Sequence, residues 1–192
     1  MPTPPARGTT PGPPNGILDP TGTIGASRAR PRPPRARRRQ DLRGATVGLL
    51  VNTKQNAAPF LDEIGRLLID QHGAKSTIAR TKVNFAAPAP EDLVKEMAVS
   101  CDVIVTGIGD CGSCSASAVA DGIVFEAAGL PAAAVCSDAF TITADAMADL
   151  RGAPGYQYAT TPHPVAVLTA DQVKDRAAQV LGDVVALLTD QE

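Results

Sequence analysis

Three observations predict an α/β fold with a mainly parallel sheet. From about residue 41, short apolar runs of buried-strand length alternate with stretches of helical period. This alternation proceeds without any internal repeat of 20 to 50 residues. The segments richest in reactive side chains fall directly after the strand-like runs, where sheets of this class place their sites.

The elements follow in order. "ATVGLLVN" (45–52) is a continuous apolar run, read as the first strand. In "APFLDEIGRLLIDQHG" the residues Phe60, Leu61, Ile64, Leu67 and Leu68 share one helical face, and Gly73 is the expected stop. "KSTIART" (75–81) is a weaker strand. "PEDLVKEMAVS" (90–100) opens with Pro90 in the first turn and with Glu91 and Asp92 where the helix dipole favours acids.

"CDVIVTGIG" (101–109) is the next buried strand. After it, Ala116, Val119, Ala120, Ile123, Val124 and Ala127 predict a helix with one small, apolar face, ended by Gly129. "LPAAAVCSD" (130–138) is a fourth strand, and a helical stretch follows near 143–151. The strand content of "GAPGYQYATTPHPVAVL" is not placed. The last segment starts with a capping box, Thr169 and Gln172, and is expected to bury Val173, Ala177, Val180, Leu181, Val184 and Leu188. The expected architecture is a three-layer α/β/α arrangement with four or five strands, either flavodoxin-like or half of an aspartate/glutamate racemase-like fold. "NTKQN", "DCGSC" and "CSDAF" then open onto one carboxyl edge.

Composition divides the chain. The first forty residues hold ten of the 17 prolines and eight of the 18 basic residues against one acid, Asp19, a charge of +7. Residues 41–192 carry ten basic and nineteen acidic residues, a charge of −9, within the overall −2. Residues 1–40 are therefore read as a Pro/Arg-rich arm, partly flexible, and 41–192 as one α/β domain. "RARPRPPRARRRQ" lacks the interleaved aromatics that stack on bases, so an arm in solvent or laid over a partner subunit is favoured over nucleic-acid binding. No apolar run reaches membrane-span length and no apolar signal core opens the chain, so a cytoplasmic protein is expected.

A reducing cytosol disfavours structural disulfides, which directs attention to Cys101, Cys111, Cys114 and Cys136. Cys111 follows a strand and precedes a helix, where unpaired amides and the dipole favour thiolate, and it is the candidate nucleophile. Cys114, one turn on, is placed to resolve a mixed disulfide, with Gly112 and Ser113 leaving the turn uncrowded. Cys101 begins a strand at the opposite edge and is read as packing. Cys136 is read either as a third sulfur at the site or as core. A four-cysteine metal site is not expected, because Cys101 should lie a strand length away from the others, while a three-ligand site with His163 or Asp110 stays open.

Among the other loop residues, Lys54, bracketed by Asn52 and Asn56, is a candidate to hold an anionic group or to stabilise the thiolate, its alternative being a solvated lysine. Asp110 is given an orienting or proton-handling part, and His163, held between Pro162 and Pro164, is a candidate general acid or base. "GIGDCG" has a GxGxxG spelling, but cysteine stands where a dinucleotide needs close glycine approach, and no nucleotide cofactor is expected.

The segments "ILDPTG" (17–22), "VGLLVNTKQNA" (47–57), "CDVIVTGIGDCGSCSASAVADG" (101–122), "GLP" (129–131) and "PHP" (162–164), in this order, resemble the UGSC family of thiol or selenol proteins. The resemblance covers roughly 17–190, and GDCGSC is its most specific part. It implies that the position of Cys111 accepts selenocysteine in relatives, hence a reactive chalcogen, and that residues 17–22 pack over the site. It also implies chemical kinship with the selenoprotein subunits of glycine and proline reductases, without transfer of their functions.

The leading expectation is a thiol-dependent oxidoreductase acting on a small molecule, with anionic compounds among the candidate substrates, an external thiol as the candidate reductant and no cofactor assigned. Cys111, Cys114, Cys136 and His163 are its catalytic candidates, and Asn52, Lys54, Asn56, Asp110 and Ser113 its substrate-binding ones. Redox-neutral racemase, decarboxylase or lyase chemistry using Cys111 and Cys136 is the first alternative. A sulfur carrier or redox subunit of a larger complex is the second. Association as a homo-oligomer or with a partner subunit is left open. A thioredoxin analogue is set aside, because the CxxC follows the third strand and no cis-proline loop is evident to face it.

Overall fold

The side chains of the central strands alternate between two cores, which fixes the layers. Along β1 (Thr46–Val51), Val47, Leu49 and Val51 face one way and Leu50 the other. In β3 (Val103–Gly109), which is buried throughout, Val103 and Val105 lie on the first side and Ile104 on the second. β2 (Ser76–Thr81) is an edge strand, half-covered over its first three residues and exposed over its last three, and β4 (Ala132–Ser137) is fully buried. The other edge is β5 (Ala159–Thr161), which comes from the stretch whose strand could not be placed by pattern. Three residues are too few to show a period of two. The computed structural model describes residues 35–190.

All five strands are parallel, in the order β2-β1-β3-β4-β5, the flavodoxin-like arrangement. One face is covered by α1 (Ala57–His72) and α5 (Ala170–Leu188), whose predicted apolar faces are both buried. Gly73 ends α1 at φ 69, and the Thr169–Gln172 capping box starts α5. The other face carries α2 (Glu91–Ser100), α3 (Gly112–Ala127) and α4 (Thr141–Leu150). Pro90 stands at the N-cap of α2, one position earlier than expected.

α3 departs from its predicted single face. It is buried nearly all round, polar Ser115, Ser117, Asp121 and Glu126 included, whereas Ala116 and Val124 are only partly covered and Ala127 is exposed. The helix is wedged between the sheet, α4 and the loop after β2, so each polar group must find a partner inside. Lys82 donates to Asp121, to Ser117 Oγ at 2.6 Å and to the Ala87 carbonyl at 3.0 Å, and the Ala89 amide donates to Asp121 at 2.6 Å. This buried pair pins the loop 82–90 onto α3.

At the other end of α3, Arg38 makes a two-pronged pair with Glu126 at 2.8 and 2.7 Å, and the Ala36 amide reaches the same carboxylate at 2.7 Å. Both charged side chains are nearly sealed from solvent. Composition grouped Arg38 with the arm; its partner lies 88 residues on, where no local pattern reveals it. The segment 17–22 lies outside the described residues. No helix among the described residues is long and apolar enough to cross a membrane.

Candidate active site

β3 ends at Gly109 beside Cys136 of β4, with a register irregularity between Thr106 and Gly109 and a cis peptide at Gly107–Ile108. A Cβ on Gly109 would meet Ser115 Cα at 2.7 Å and Cys136 Sγ at 2.8 Å, so only glycine lets the first turn of α3 close onto the strand end. That approach sets the position of the cysteine loop.

Cys111 is the N-cap of α3, in extended backbone, and its sulfur accepts from the Cys114 amide at 3.2 Å. Cys111 and Cys114 form a disulfide, with Cα atoms 5.1 Å apart. The pair is asymmetric: Cys111 is partly exposed and Cys114 is sealed. Ser113 Oγ lies 3.5 Å from the Cys111 sulfur and is exposed.

Asp110 is the hub of the loops around this pair. Its carboxylate accepts from the Val165 amide at 3.1 and 3.0 Å, the Ala166 amide at 2.8 Å and Ser137 Oγ at 2.8 Å, and it meets His163 Nδ1 at 3.0 Å. Burial alone would raise this carboxyl, but the Ala166 and Val165 amides, Ser137 and His163 together outweigh it and hold it below the ordinary carboxylate range. An ionised Asp110 only accepts, so His163 donates through Nδ1–H and keeps Nε2 as its basic nitrogen. The imidazole is thus held against the residue that precedes Cys111. Phe140 packs edge-on to it at 5.2 Å, and the His163 amide donates to Asp138 Oδ1 at 3.0 Å.

The remaining candidates separate. Asn52 is buried and spends both polar ends on backbone, donating to the Ile108 carbonyl at 2.8 Å and accepting from the Lys54 amide at 3.1 Å. Asn56, in the left-handed region at φ 65, donates toward the carbonyls of Val165, Ala166 and Leu168. Both are substrate-binding candidates by sequence; in the structure both side chains tie loops together, because short amides satisfy backbone groups that a turn leaves unpaired. Lys54 is half-buried, its ammonium 5.3 Å from the Phe85 ring centroid.

Cys136, left open between site and core, lies in the core between β4, α3 and α4. Its sulfur is 3.8 Å from the Ser115 carbonyl, and burial pushes its thiol up to about 12. Burial thus disfavours the thiolate form there. Cys101 caps α2 rather than opening β3 and is half-covered, with burial raising its thiol. No cis-proline loop was evident in the sequence; the structure has one, at His163–Pro164. Among the described residues no group of three or more His, Cys, Asp or Glu side chains converges to hold a metal ion.

Sequence reasoning missed Ser137, Asp138 and Phe140, although "CSDAF" was assigned to this edge; nothing in their order shows that they reach Asp110 and His163. It also missed Lys82 and Asp121.

The UGSC family model matches residues 16–190, nearly the whole chain. The chain belongs to the UGSC family. No curated protein matches it. Among solved structures, an ABC transporter permease from the Pseudomonas fluorescens group is similar at 12% identity and TM-score 0.33, over 77% of this chain and 36% of that one. That likeness carries no argument about this UGSC protein.

Proposed function

We propose that this UGSC protein is a dithiol oxidoreductase whose working pair is Cys111 and Cys114. The observation that carries the reading is the asymmetry of the pair: one sulfur reachable at a helix N-terminus, the other sealed one turn behind it, with an oriented imidazole beside the loop. An exposed sulfur is the one attacked or attacking, and a buried neighbour resolves the adduct without meeting solvent.

In the reduced protein the Cys111 thiolate attacks one sulfur of a substrate disulfide, and the substrate's S–S bond breaks. The departing thiolate takes a proton, for which His163 is the candidate donor. Cys114 then loses its proton and attacks the Cys111 sulfur, releasing the second substrate thiolate and leaving the Cys111–Cys114 disulfide. Two electrons pass from the dithiol to the substrate, and an external thiol returns them. Lys54, whose ammonium has no carboxylate partner among the described residues, is a candidate to meet an anionic substrate group. The burial of Cys136 counts against the two-cysteine proton-transfer alternative, which needs a second ionisable thiol.

An aromatic disulfide reagent tests this reading. Reduced wild type should release two equivalents of reporter thiolate and end as the internal disulfide. Cys114→Ser should release one and retain the adduct on Cys111 by mass spectrometry, and Cys111→Ser should lose the rapid phase. Equal kinetics in all three proteins would remove the proposal.

A further inference from the structure

Ser113, Ser115, Ser117 and Ser137 belong to the first two turns of α3 or touch the strand end before it, and all but the first are spent on structure. Ser115 Oγ donates to the Gly109 carbonyl at 2.9 Å, and Ser117 Oγ donates to the Ala87 carbonyl at 2.8 Å while accepting from Lys82. Ser137 Oγ lies 2.8 Å from the Asp110 carboxylate and 2.9 Å from the Gly109 carbonyl. These three side chains are buried. Ser113, two residues after the N-cap, is exposed, and its hydroxyl meets the Cys111 sulfur at 3.5 Å. A disulfide sulfur carries no hydrogen, so the serine is the donor. The Cys114 amide donates to the same sulfur at 3.2 Å.

We infer that Ser113 is a catalytic residue of this site, the side-chain donor that favours the thiolate form of Cys111; the inference rests on the redox reading above. The difference between the states of the sulfur carries it. A thiol or a disulfide sulfur accepts a hydrogen bond weakly, whereas a thiolate makes the same contact charge-assisted, so the hydroxyl stabilises the attacking form more than either neutral one. Cys111 and Ser113 belong to one turn, and opening the disulfide leaves each within reach of the other. When the Cys111 thiol ionises, its proton passes to solvent and Ser113 keeps its own. The charged groups on the elements packed around this turn are engaged elsewhere. Asp110 is taken up by the 165–166 amides, Ser137 and His163, and Asp138 by the His163 amide. On α4, which meets Gly112 through Thr143, Asp145 accepts from Tyr158, and on the loop after β1 Lys54 lies against the Phe85 ring.

The test is the rate at which iodoacetamide alkylates Cys111 in the reduced full chain, read at that residue by mass spectrometry from roughly pH 5 to pH 10, a range that spans the thiols of reactive and ordinary cysteines. Ser113→Ala should move the midpoint of the profile up by about one unit, the lower end of what a hydrogen bond to a charged group is worth. A more basic thiolate is the better nucleophile, so the limiting rate above both midpoints should rise about threefold while the rate below them falls about threefold, and the two profiles cross. Loss of structure would produce no such crossing. Ser113→Thr keeps the hydroxyl and should follow wild type. An unmoved midpoint in Ser113→Ala overturns the inference and leaves the redox reading intact, and so does Ser113→Thr behaving as Ser113→Ala does. A wild-type Cys111 that stays unalkylated at every pH overturns the redox reading itself.

Discussion

Asp110 stands just before the N-cap of α3 and Asp121 lies within the helix, both buried and each pinning a loop, yet their carboxyl groups shift in opposite directions. Asp110 is held low by two loop amides, Ser137 and His163, despite the cost of burial. Asp121 has a formal ion pair with Lys82 and one amide, but lies deeper, and burial pushes it up against the pull of Lys82. A charged partner therefore does not by itself decide the direction. Depth of burial weighed against the number of donors does.

The largest break in this comparison is Lys82→Met, which leaves Asp121 buried without its counterion. It should cost about 3–5 kcal/mol in urea unfolding, and Lys82→Met/Asp121→Leu should recover most of that loss. A double variant as unstable as the single one would mean that the pair does more than neutralise itself.

Asp110→Asn comes next. It keeps the shape but removes the charge from hydrogen bonds that each gain from it, for an expected loss of about 1.5–3 kcal/mol. The sign with pH is definite. A carboxyl held low in the fold stabilises above its unfolded value of about 3.9 and loses that contribution as pH falls through the folded value. The stability gap between wild type and Asp110→Asn should thus be constant near neutrality and close below about pH 4, as followed by thermal melts. A gap that persists in acid would show that something other than the charge of Asp110 separates the two proteins.

The smallest effect is expected from Asn56→Gly. Glycine accepts φ 65 freely, so what is lost is the side-chain bridge to the carbonyls of 165–168, about 1 kcal/mol by denaturant titration. A larger cost would move weight from the Asp110 hub to its neighbour.

The legible parts of this protein were those written in local periodicity. α1 and α5 bury the residues their patterns named, because a helix that docks on a sheet by one stripe needs only a 3.6-residue repeat. The α3 pattern misled because that helix is enclosed on several sides, so its buried face has no single stripe. Cys111 and Cys114 were readable because a strand-loop-helix junction places them by connectivity alone. The backbone partners of Asn52 and Asn56 were not readable for the converse reason: loop amides suit a substrate or a backbone carbonyl equally well, and only the fold shows which carbonyls are near.

The amino-acid sequence alone determined the alternation of strands and helices, the shared carboxyl edge and the CxxC at a helix start, since each depends on residues close along the chain. Only tertiary structure decided that Asp110 gathers His163, Ser137 and the 165–166 amides, that Cys136 is sealed, and that Arg38 and Lys82 each find a buried carboxylate. Those outcomes depend on which distant segments meet and how much water they exclude, and burial and hydrogen bonding at such meetings are not encoded in any short window of residues.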